Sequence, residues 1–143
     1  MKLTERVSIV AGGNLGIGIS HEADCQAYLV DCGSELVLID AGAGLDTPKI
    51  VHNIIADGFD PHRIKKIFIT HAHMDHAGGA ADFQQAYQAE IICSQEIQAA
   101  IANGDEEETG LAEGKKLGWF PPDYQLAPCK VSQALSGNET LVA

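Results

Sequence analysis

Three of the six histidines in this 143-residue chain, and one aspartate, fall within six consecutive positions: His71-Ala72-His73-Met74-Asp75-His76. Imidazole nitrogens with a carboxylate are donors that suit zinc, and also iron or manganese. In an extended segment, residues two apart point to the same side, so His71 and His73 can reach one metal ion together. Where the backbone turns into a following helix, Asp75 and His76 are redirected toward a second point nearby. Gly78 and Gly79 come next and remove side chains where the backbone passes close to the site. The start of that helix adds positive potential, which favours a bound hydroxide or an anionic substrate group. A lone histidine is ordinarily a surface or satisfied core residue, and His21, His52 and His62 are read that way. Four ligand-type residues at the mouth of a buried strand would leave several polar groups unpaired without a metal. The cluster is therefore read as a metal site.

The elements that must position it follow from the flanking pattern. Lys66-Ile67-Phe68-Ile69-Thr70 reads as a short buried strand leading into the cluster, and a helix from about Gly79 to Tyr87 leads out, with Ala80, Phe83 and Tyr87 on one face. Upstream, Val7–Val10, Gln26–Val30 and the continuous apolar run Leu36–Ile39 read as strands. Thr47-Pro48 predicts a helix start with Thr47 as N-cap, Ile50, Val51, Ile54 and Ile55 form its apolar face, and Gly58 closes it. Downstream, Glu90–Cys93 is a strand, Ser94 is expected to cap a helix carrying Ile97, Ala100 and Ile101, and Asn103-Gly104 ends it. Leu111–Trp119 reads as helical, weakened by three glycines, and Pro121-Pro122 breaks the chain. Val131–Leu135 and Glu139–Val142 read as two strands turning at Ser136-Gly137-Asn138.

Other segments are given plainer roles. Gly13–Gly18 and Gly42-Ala43-Gly44 lack the strand-to-helix spacing of a dinucleotide loop and read as turns. Asp105-Glu106-Glu107-Glu108 reads as a solvated loop. Trp119-Phe120-Pro121-Pro122-Asp123-Tyr124 could line a substrate entrance, but packing onto the sheet is the favoured role for aromatics.

Composition bounds the function classes. With 45% apolar and 20% charged residues the chain is globular and one domain in length. Nine basic against twenty acidic residues give a net charge of −11, which disfavours a nucleic-acid partner or an anionic membrane surface. No apolar stretch reaches the length of a membrane helix, and the charged N-terminus precedes no signal-type apolar region. Cys25, Cys32, Cys93 and Cys129 form no C-x-x-C pair and read as reduced thiols, Cys25 and Cys93 as small buried hydrophobes; a cytoplasmic location is expected.

The run His71-Ala72-His73-Met74-Asp75-His76, followed by Ala77-Gly78-Gly79, resembles the H-x-H-x-D-H signature of the metallo-β-lactamase superfamily. Ala27-Tyr28-Leu29-Val30 and Glu35 to Gly42 are similar to that family's strand pair ending in an aspartate-glycine turn, as in hydroxyacylglutathione hydrolases and acyl-homoserine lactonases. The resemblance runs from about Val7 to Val142 and implies an α/β layered fold: a partial αββα sandwich, mainly the first sheet with its helices. It implies that His71 and His73 bind one metal and that Asp75 and His76 bind a second. Zinc, two ions per complete site, is the expected cofactor, with iron or manganese also open. Asp40 would brace the metal loop from behind, or it is simply a strand-end turn former. The implied chemistry is hydrolysis of a small ester, thioester or lactone by a metal-activated water, with Asp75 able to orient that water. His73 stands where the superfamily's diiron flavoproteins usually carry Glu, which favours a hydrolase; an iron-dependent sulfur dioxygenase stays open, and a nuclease is disfavoured by charge.

The resemblance also implies three further metal ligands downstream, yet no histidine follows His76. Residues 1–143 are therefore expected to be a single, C-terminally truncated domain. Such a piece should expose apolar surface and bind metal weakly. A non-catalytic relative acting as a binding module is the alternative.

Overall fold

The computed structural model describes residues 1–141. Six strands form one sheet whose spatial order follows the chain. β1 (Val7–Ala11), β2 (Ala27–Asp31) and β3 (Leu36–Ile39) pair antiparallel. β4 (Ile64–Phe68), β5 (Glu90–Ser94) and β6 (Val131–Leu135) add in parallel, so each needs a crossover connection. The crossovers carry α1 (Thr47–Ala56), the one-turn α2 (Met74–Ala77), α3 (Ala80–Tyr87), α4 (Gln98–Asn103) and α5 (Leu111–Lys116). No helix among the described residues is long and apolar enough to cross a membrane.

Strand periodicity sorts the side chains into two faces. Leu29, Leu38, Ile67 and Ile91 stand in register across four strands and are fully buried. They share one core with Ile50 and Ile54 of α1, Phe83 of α3 and Ile101 of α4. The opposite face carries Tyr28, Val30, Ile39 and Phe68, all half-buried, with Val37 and Ile92 buried between them. None of these six belongs to the helix-packed core. The expected layered α/β fold is thus present with its first sheet. Among the described residues the second sheet, expected to begin here, is not seen: all six strands lie in one sheet.

Local details confirm some expectations and correct others. Gly58, at φ 89, closes α1, with Gly58 N bonded to Ile55 O and Phe59 N to Ile54 O, the paired bonds of a Schellman ending. The N-cap of α1 is Asp46, not Thr47: an Asp46 oxygen accepts from Lys49 N, while the Thr47 hydroxyl donates to Asp82 on α3. Ser94 does not cap α4. It ends β5 in register with Leu135, and the helix begins only at Gln98. The sheet ladder carries the chain past the polar residue that the sequence offered as a cap.

Among the described residues the expected pairing of Val131–Leu135 with Glu139–Val142 does not form. β6 pairs with β5 instead, and the Glu139 carboxylate folds back to accept from Ser136 N (2.8 Å), Ser136 Oγ (2.6 Å) and Gly137 N (2.7 Å). These bonds use amides a returning strand would need, and they hold the Glu139 carboxyl down at about 2. Val142, the end of that expected strand, lies outside the described residues.

Candidate metal centre

β3 and β4 run parallel, so their C-terminal ends deliver Asp40 and Thr70 side by side. Asp40 takes a left-handed backbone (φ 59), and its N–H bonds Phe68 O at 2.8 Å. That turn aims a buried carboxylate at the following loop. One oxygen accepts from Thr70 N (2.9 Å); the Thr70 hydroxyl lies 3.0 and 2.8 Å from the two. The second oxygen stands 2.8 Å from His76 Nδ1.

The loop gathers its imidazoles. The His71 ring centroid is 4.8 Å from that of His73 and 4.0 Å from that of His76. Asp75 and His76 are turned inward by α2, a single helical turn that the sequence did not announce. An Asp75 oxygen lies 3.6 Å from His76 Nε2. Thr70 Oγ1 faces His71 Nδ1 at 3.0 Å. His71 and His76 thus each spend Nδ1 on the protein and keep Nε2 for something else, the usual arrangement of a metal-binding histidine.

Backbone bonds fix the loop's path. Ala41 N donates to His76 O (2.7 Å), Cys25 N to Asp75 O (3.0 Å), Met74 N to Thr109 O (2.9 Å) and Gly79 N to Gly42 O (3.1 Å). A Cβ on Gly78 would overlap the Ala43 carbonyl and one on Gly79 the Ala41 carbonyl, so the close approach expected there is present. The acidic run has more to do than stay solvated. Asp105 caps the turn by accepting from Glu107 N and Glu108 N, and that turn presents the Thr109 carbonyl to Met74. The helix expected after the cluster is α3, and the one-turn α2 precedes it.

Electrostatics divides the histidines. Burial, then the neighbouring rings of His76 and His73, push the His71 pKa down. Burial also opposes charge on His76, but the Asp40 hydrogen bond and the nearby charges of Asp75 and Asp40 outweigh it and raise its pKa. His21, His52 and His62 lie apart; His21 Nδ1 accepts from Ala23 N, and His62 packs edge-on to Tyr87.

The cluster opens into a cavity of about 1110 Å³ lined by His73, Asp75 and His76, and also by Leu15, Trp119 and Phe120. Trp119, 68% exposed, stands on the lining. Phe120 packs with Ala43, Met74, Leu111 and Leu126, and the Tyr124 hydroxyl donates to Ala43 O at 2.9 Å. This aromatic segment therefore packs beneath the metal loop rather than onto the sheet.

Residues 22–131 match the metallo-beta-lactamase superfamily. The chain belongs to that superfamily. By sequence it is 36% identical over 75 residues to ribonuclease Z of Pyrococcus furiosus, a match covering 52% of this chain and 23% of the relative. It is 35% identical over 66 residues to hydroxyacylglutathione hydrolase of Nitrobacter hamburgensis, covering 46% and 26%. In structure it resembles a Cronobacter sakazakii metallo-beta-lactamase (TM-score 0.78, 25% identity, 100% of this chain and 50% of that one). It also resembles BJP-1, a subclass B3 metallo-beta-lactamase of Bradyrhizobium japonicum (TM-score 0.71, 23% identity, 87% and 44%). The chain thus spans about a quarter of the length of the curated relatives it matches and about half of the solved ones.

Members of the metallo-beta-lactamase superfamily typically bind metal ions, and the donors here fit one. Free imidazole edges, carboxylates and a thiol are ligand chemistry for a divalent cation. One group of donor atoms among the described residues lies within 4.8 Å of one another: those of Cys25, Asp40 and His76. Both Asp40 oxygens already serve Thr70 and His76. Of the residues expected from the sequence, His76 and Asp40 fall in that group, while His71, His73 and Asp75 lie in the same loop outside it. Sequence reasoning missed Cys25, Thr70 and Asp24. Asp24 is buried and accepts from Ala43 N (2.8 Å) and His21 N (3.0 Å). Thr70, next to His71, was within reach; the other two join the loop only through tertiary bonds.

Proposed function

We propose that this chain belongs to a metal-dependent hydrolase acting on a small ester, thioester or lactone. The observation that supports it is the convergence of three imidazoles, two of which line, with Asp75, a cavity wide enough for a small molecule. His71 and His73 would hold one metal, and Asp75 and His76 a second; zinc suits the set, and iron or manganese could serve. When bound, such ions lower the pKa of a water and polarise the carbonyl it attacks. Asp40 keeps the His76 ring turned so that Nε2 faces the cavity. Asp75, partly exposed at the cavity wall, is placed to accept a proton from the water and orient it. Trp119, Phe120 and Leu15 would receive the apolar part of the substrate.

Ribonuclease Z among the relatives suggests a nuclease, but the lining disfavours it. Among the described residues, the cavity is lined by Glu22, Asp24, Asp40, Asp75 and Glu113 and by no lysine or arginine. With a net charge of −11, this favours small-molecule substrates over a phosphate backbone. Four unpaired cysteines accord with a cytoplasmic location.

The test is turnover by the protein in its natural length. Thioester, ester and lactone hydrolysis should be lost on chelation, restored by zinc and abolished in His73→Ala. Turnover that survives chelation, or a fully metal-loaded protein that hydrolyses none of the three, would refute the reading.

A further inference from the structure

We propose that Cys25 is a metal donor, its sulfur sharing with His76 the second metal position of this loop. The proposal rests on the metal-binding reading above. Cys25 precedes β2, and its N–H bonds Asp75 O at 3.0 Å, which locks it to the signature loop. Its sulfur, an Asp40 oxygen and a His76 ring nitrogen lie within 4.8 Å of one another. Zinc sits about 2.3 Å from sulfur and about 2.0–2.1 Å from imidazole nitrogen, so one ion bridges donors at such spacing with little movement. Of the three groups, Asp40 is committed on both oxygens to Thr70 and His76.

Cys25 is a buried free thiol, as expected, and it also has polar neighbours. Cys25 is 8% exposed, but it lines the cavity, and the acid groups nearest it are Asp40, Asp75 and Asp24. Ion binding would form the sulfur–metal bond as the thiol proton leaves to buffer. A soft sulfur donor also sets preference: zinc, cobalt and cadmium gain from it, manganese does not.

Cobalt(II) in the metal-stripped full-length protein separates the outcomes. The expected result is an intense near-ultraviolet sulfur-to-cobalt charge-transfer band, absent in Cys25→Ser and retained in Cys32→Ser. Zinc affinity should fall by about tenfold or more in Cys25→Ser, with manganese affinity unchanged. Visible cobalt absorption without the sulfur band, or a band that persists in Cys25→Ser, overturns the assignment and leaves the hydrolase reading standing. Failure to bind cobalt at all overturns both. Should Cys25→Ser misfold by circular dichroism, peptide mapping of the wild type decides: zinc must protect Cys25 from alkylation, and equal labelling with and without zinc overturns the proposal.

Discussion

At Asp40 the backbone sits in the left-handed region, which asparagine also tolerates, so Asp40→Asn removes charge while sparing the turn. Its two oxygens hold Thr70 and His76 in place. We expect this variant to fold normally and to lose about 10–100-fold in metal affinity, read by competition with a chromophoric chelator. Tyr124 supports the loop from the other side. Its hydroxyl donates to Ala43 O, and burial, with Asp82 and Asp24 nearby, pushes its pKa up to about 12. The folded state prefers the neutral phenol, so this stability is complete below an unfolded tyrosine's pKa near 10 and is lost as pH rises toward about 12. Tyr124→Phe should cost about 1 kcal/mol in urea unfolding at neutral pH and flatten that alkaline decline. The histidines and Asp40 were legible because they lie in one short motif or on the strand end before it. Cys25 was not: its neighbours arrive across some fifty residues of chain, through a backbone bond that no side-chain pattern encodes.

Elements were legible where their boundaries depend on local chemistry. Gly58 is such a case, because a left-handed residue must follow α1. Ser94 was not, because the assembled sheet decides its course, and Glu139 was not, because its carboxylate takes the local amides of Ser136 and Gly137 in place of a strand. The loop after β4 belongs to a third kind, in which backbone presses on backbone. Gly78 and Gly79 abut the carbonyls of Ala43 and Ala41, which lie in the rigid turn after β3. Gly79→Ala should therefore destabilise the fold by about 1–3 kcal/mol, the cost of overpacking a filled site. It should also weaken metal binding, since the displaced segment carries His76. Denaturant titration and chelator competition on the same variant check both, and a variant unchanged in either would contradict the close approach.

For the molecule as a whole, helices cover one face of the sheet and share its core, while Tyr28, Val30, Ile39 and Phe68 lie half-buried on the other. The 143-residue chain is accordingly expected to bind a hydrophobic dye and to self-associate as concentration rises; a monomer in sedimentation at every concentration, without dye binding, would contradict this. The strand order has a consequence of a different kind. Each strand pairs with the one made just before it, from β1 to β6. Synthesis and assembly can then proceed in step: a strand leaving the ribosome finds its partner already in place, and the sheet lengthens along a single growing edge. Among the described residues, every strand from β2 to β6 has an earlier strand as its partner.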